Sequence, residues 1–167
     1  MTKHAQMNLL FHGTVILFAS MLTGVPLGVA HANGWPPEVI RAWAVTHSSL
    51  VSTGILLIAV GAAAHHLAFS ARGARLFSAT LLSSAYLLCA GLVVSAVTGQ
   101  RGLTPTGPAL NVVLHVCNML GVLGALIAGV LLVRAAYGSV RAPASAPVGS
   151  TIGAQGSPAR TWSATTD

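Results

Sequence analysis

Apolar residues run along this chain in four long blocks, separated by short stretches that carry its polar, glycine and proline residues. The blocks cover about Leu9–Val29, Val45–Phe69, Ala74–Val97 and Leu110–Ala136. Each reaches the roughly 20 residues needed to cross about 30 Å of hydrocarbon. Pro26 and several glycines interrupt them, which membrane helices tolerate because neighbouring helices satisfy the freed backbone groups. The pattern predicts an all-α, integral membrane four-helix bundle over residues 1–137. From residue 138 to 167 the chain turns to Ala, Ser, Pro, Gly and Thr with almost no aliphatic pattern, which predicts a disordered tail.

The first block imitates a secretory leader, since Lys3 precedes it and Ala30-His31-Ala32 has the form of a cleavage site. It is longer than the usual leader core of about 7–15 residues, and it carries His12, so a retained helix is expected. Orientation follows from the cations. Lys3, Arg72, Arg75, Arg134 and Arg141 fall on one side of the predicted membrane and only Arg41 and Arg101 on the other. Both termini are therefore expected in the cytoplasm, with the protein multi-pass in the inner (plasma) membrane. Small residues supply the expected helix contacts, Gly54 and Gly61 in the second block and Gly121, Gly124 and Gly129 in the fourth, because close backbone approach replaces the hydrophobic drive that lipid removes.

Composition sharpens this reading. Charged residues make up 6% of the chain and apolar ones 54%, with a mean hydropathy of +0.77. The net charge of +6 comes from eight singly scattered Lys and Arg; without a basic run or accompanying aromatics it does not describe a nucleic-acid surface. The two cysteines, Cys89 and Cys117, lie inside apolar blocks without a C-x-x-C motif, so no zinc or iron–sulfur site is expected and both read as small packing residues. Asp and Glu total two, Glu38 in an outer loop and Asp167 at the end. With no carboxylate inside a span, a Ser-His-Asp triad, two-carboxylate acid–base chemistry and acid-dependent proton transport are excluded. Any enzyme built on this chain takes its electrophile from a metal or cofactor.

Seven histidines are present. His4 and His31 read as solvated, and His65 and His66 as headgroup-level residues beside Arg72. His12, His47 and His115 each lie several residues inside a span, where an ionisable ring is a functional candidate. Each can hydrogen-bond a carbonyl or hydroxyl across helices. The sharper alternative is a haem held between His47 and His115, which lie at similar depth near the outer ends of the second and fourth spans.

Several local blocks resemble the styrene oxide isomerase family. His12-Gly13 with Phe18, Leu22, Gly24-Val25 and Leu27 is similar to its first helix, and Trp43-Ala44 with His47-Ser48 to its haem-ligand segment. Ala74-Arg75-Leu76 and Arg101-Gly102-Leu103-Thr104 resemble its third helix and the loop that follows. The resemblance covers about residues 12–104, in shared register without gaps from about 43, while the fourth span matches mainly in hydrophobicity. It implies a homotrimer of four-helix chains, with haem b at the subunit boundaries acting as a Lewis acid on a small apolar epoxide that enters from the bilayer. The benzylic C–O bond opens and a hydride shift gives the aldehyde, an intramolecular isomerisation used in styrene degradation, without net redox change. His47 falls on the family's axial ligand, Thr53 on its active-site asparagine and Leu92 on its active-site tyrosine. Tyr86, six positions before Leu92 and so about 9 Å along a helix, does not simply replace the missing phenol. His47 and Thr53, six positions apart, point about 120° away from one another, which suits a boundary site between subunits. Arg41 and Arg101 are the outer-side cations available to haem propionates. Two other readings stay open: a b-type cytochrome with His47 and His115 on one haem, and a partner subunit without a cofactor.

Overall fold

The computed structural model describes residues 1–141, and within them the chain forms four long helices and one short turn of 3₁₀ helix. Helix α1 spans Lys3–Ala32, α2 Pro37–Ala63, α3 Ala71–Thr98 and α4 Ala109–Arg141, with the 3₁₀ turn at Ala64–His66. All four are long and apolar enough to cross a membrane, and the protein is a multi-pass membrane protein of the expected all-α class.

The ends follow local chemistry. Thr2 caps α1 by accepting the Ala5 amide at 3.3 Å, and Ser70 caps α3 by accepting the Gly73 amide at 3.1 Å. Helix α2 starts at Pro37, whose missing N–H costs nothing at the first helical position. It therefore starts eight residues before the second apolar block and closes six residues before that block ends. Glu38, expected in a loop, stands instead in the first turn of α2, where a carboxylate complements the helix dipole. His65 and His66 lie in the exposed 3₁₀ turn with their rings 3.7 Å apart. Helix α4 runs four residues past 137 to Arg141; the remainder of the expected tail lies outside the described residues.

Helices α1 and α2 form the most intimate pair. A Cβ on Gly54 would stand 2.9 Å from the Leu17 nitrogen and 3.0 Å from the Gly13 carbonyl oxygen, so the two backbones touch there. The buried stripe of α1 is Leu9, Gly13, Ile16, Ser20, Thr23 and Ala30, and that of α2 includes Thr46, Leu50, Gly54 and Leu57. Helix α3 packs on both, with Phe77 fully buried and stacked on Phe69 at 4.9 Å. Thr46 joins α2 to α3, its hydroxyl shared between the Ala42 carbonyl at 2.9 Å and the Leu92 carbonyl at 3.2 Å. Helix α4 packs chiefly on α3 and reaches the α2–α3 connection through Ser139, which accepts the Ala68 amide at 2.9 Å, and its other sides present exposed Met119, Leu123, Leu126, Val130 and Val133, a lipid-compatible surface.

Candidate functional site

His47 sits on the flank of the buried stripe of α2, beside Thr46, and is half-buried. Its ring turns toward α1, where Nδ1 lies 2.8 Å from the Ser20 carbonyl oxygen. A carbonyl only accepts, so Nδ1 carries the proton and the lone pair is on Nε2. Among the described residues Nε2 has no hydrogen-bond partner, and it is not buried. Metal-binding histidines are commonly held in this way, by a carbonyl on the other ring nitrogen.

The seat for this ring is built by α1. Gly24 leaves the space: a Cβ there would stand 3.4 Å from His47 Cε1 and 3.5 Å from Nδ1. Thr23, buried, donates to the Ser20 carbonyl at 2.7 Å, and Ser20, also buried, donates to the Leu17 carbonyl at 2.6 Å. The Ser20 oxygen thus takes both the Thr23 hydroxyl and the imidazole. Ser20 and Thr23 escaped notice in the sequence, although they are the two hydroxyl residues on the 3–4 spaced buried stripe of an otherwise apolar helix.

Thr53 points elsewhere. Its hydroxyl lies near the Cys89 thiol on α3, whereas His47 faces α1, the divergence that six helical positions require. Leu92 packs against the core at the level of Thr46. Thr53 and Leu92 thus share the α2–α3 contact and do not converge on His47 within one chain. Arg41 is exposed six residues outward of His47 on α2, about 9 Å along the axis.

Arg101 is exposed on the α3–α4 connection, in a loop built on α4. Asn111 accepts the Gly102 amide through Oδ1 at 2.8 Å and donates to the Thr104 and Thr106 carbonyls, each at 2.8 Å. His115 donates from Nδ1 to the Gly102 carbonyl at 3.1 Å. Its tautomer matches that of His47, but α2 and α4 are not a packed pair, so helix contact within one chain does not join the two rings. His12 bonds Tyr86 of α3, with Nδ1 and the phenol oxygen 2.7 Å apart. His31 and His65 bond carbonyls of their own helical turns. Cys89 is buried, Cys117 half-buried, and both are free thiols. Among the described residues no three His, Cys, Asp or Glu side chains converge on a point that could hold a metal ion.

The family model for styrene oxide isomerase matches residues 5–137, from the first turn of α1 to near the end of α4. The chain belongs to the styrene oxide isomerase family. The match extends past the resemblance over about residues 12–104, back to the first turn of α1 and forward through most of α4. No curated protein matches the sequence significantly.

Proposed function

We propose that this protein is a haem-dependent epoxide isomerase, converting a small apolar epoxide to the aldehyde with no net redox change. Family membership supports the reaction class. The observation that carries the cofactor is His47, whose Nδ1–H is committed to the Ser20 carbonyl while Nε2 has no partner among the described residues and is not buried. The donor set fits haem b: one imidazole, fixed through Nδ1, would hold the iron. Ferric haem, if bound there, would supply a Lewis acid.

The chain's own residues account for the rest. Ser20, Thr23 and Gly24 hold the imidazole in one tautomer and orientation. The apolar faces of the helices exclude water and admit an apolar substrate from the bilayer. Thr53, facing α3, lines the substrate side of a neighbouring subunit's site in a cyclic homotrimer, beside Leu92 in place of a phenol. Arg41 and Arg101 bind propionates on the outer side, with both termini in the cytoplasm and the chain in the inner membrane. An arrangement with His47 and His115 on one haem in the same chain has less support, because α2 and α4 do not pack together.

The test is haem content of detergent-purified wild type and His47→Ala, followed by conversion of styrene oxide to phenylacetaldehyde. His47→Ala is expected to lose most of its pigment and all conversion. Pigment undiminished in the variant, or a ferric spectrum that stays six-coordinate and low-spin with two protein ligands, overturns the proposal.

A further inference from the structure

A second group of polar side chains lies among α1, α2 and α3, away from the face that His47 presents. His12 Nδ1 and the Tyr86 hydroxyl are 2.7 Å apart, with the rings edge to face. One turn along α3 from Tyr86 is Cys89, buried, and beside that thiol is Thr53 of α2. Three helices thus contribute four polar groups to one stretch of the bundle. Tyr86 is 40% exposed, and its ring also lines a cleft of about 660 Å³ between α3 and α4, walled by Ala90, Val94, Leu110, Val113 and Cys117. One side chain therefore joins an apolar cleft, of a size suited to a small ligand, to the His12 imidazole.

An epoxide or aldehyde oxygen only accepts hydrogen bonds, so a polar contact to it needs a donor with an uncommitted proton. Most hydroxyls of the spans are committed. Thr14, Ser20, Thr23, Ser48, Ser52, Thr80, Ser84 and Thr98 each donate to a carbonyl one turn back in their own helix. Tyr137, the other phenol, lies under the Arg141 guanidinium at the end of α4. Ser83, on the wall of the same cleft, makes no such bond; Tyr86 differs from both groups because its partner is an imidazole that can take either role. With the proton on His12 Nδ1, the imidazole donates to the phenol oxygen, and the phenol proton turns to another acceptor.

We propose that Tyr86 donates a hydrogen bond to the oxygen of the bound epoxide or aldehyde, that His12 is the positioning residue for its hydroxyl, and that the ligand's apolar body occupies the α3–α4 cleft. This rests on the epoxide-isomerase reading for its ligand class. The phenol thus enters one and a half turns deeper on α3 than Leu92. The site selects apolar molecules that carry one acceptor oxygen over the corresponding hydrocarbons.

The experiment compares equilibrium binding of phenylacetaldehyde, which is not turned over, and of styrene to the full-length protein in detergent, wild type against Tyr86→Phe. Tyr86→Phe should weaken phenylacetaldehyde binding about fivefold and leave styrene binding unchanged, with haem content as in wild type. His12→Leu should lose the same preference. Equal affinities of wild type and Tyr86→Phe for phenylacetaldehyde overturn the proposal, as does an equal loss for both ligands. A measurement on wild type alone guards against a variant that does not fold: the infrared stretch of ¹³C-carbonyl phenylacetaldehyde should fall on binding relative to its value in an alkane. No shift overturns the proposal. Neither readout requires turnover, so failure of the haem reading in His47→Ala is seen separately.

Discussion

Replacing Gly54 by alanine tests whether close approach of α1 and α2 is what seats His47. The added Cβ would meet the Leu17 nitrogen at 2.9 Å and the Gly13 carbonyl oxygen at 3.0 Å. Both are backbone atoms and neither can rotate aside. Ordinary contact begins at 3.4 Å, so the helices must part by about 0.5 Å at this level. The bond from His47 to the Ser20 carbonyl lies two turns outward and is 2.8 Å long; opened by the same amount it reaches about 3.3 Å, beyond the usual range for N–H···O. Overpacking of this kind costs about 1–3 kcal/mol, and losing the partner of a metal-binding histidine about 10–100-fold in affinity. Haem titration of the apoprotein, followed by Soret absorbance, reads the second effect, and thermal unfolding in detergent the first. Gly28→Ala is the matched control, because a Cβ there meets nothing within 4 Å. Wild-type haem affinity in Gly54→Ala would show that the ring is seated by something other than helix contact.

Gly102 has φ +58° and would place a Cβ 2.7 Å from the Leu114 Cβ; Gly102→Ala should destabilise the protein by about 1–3 kcal/mol, through left-handed strain and overpacking, read as a lower Tm. Thr46→Val keeps the shape but removes the hydroxyl that reaches Leu92, and should lower stability by about 0.5–1.5 kcal/mol with little change in haem content. His115→Ala should retain wild-type haem while speeding amide exchange across residues 99–108, since it loses the bond to the Gly102 carbonyl; a loss of haem matching that of His47→Ala would point to two ligands.

Much of the architecture was legible in apolar block length. Four spans follow from the solvent, because lipid leaves helices as the simplest way to satisfy the backbone. The ends were less legible. Helix α2 extends outward through Glu38 and Arg41, which hydropathy assigns to a loop, because Pro37 and the carboxylate favour a helix start that an apolar window does not register. The site was half visible. His47 stood out because an imidazole is conspicuous where charge is absent, whereas Ser20 and Thr23 passed as ordinary small residues. Their role depends on which face of α1 meets α2.

From the order of its residues alone this chain is committed to the membrane, to four helices and to chemistry without carboxylates, since each follows from what water and lipid accept. Pairing is another matter. In a helix apolar on every side, hydropathy does not distinguish the face turned to a neighbour from the face turned to lipid. Packing made that choice through small contacts: Gly54 against the backbone of α1, the Ser20 carbonyl on His47, the phenol of Tyr86 on His12. These contacts join residues far apart in the chain, and their directions set the tautomer of His47 and leave its second nitrogen without a partner among the described residues.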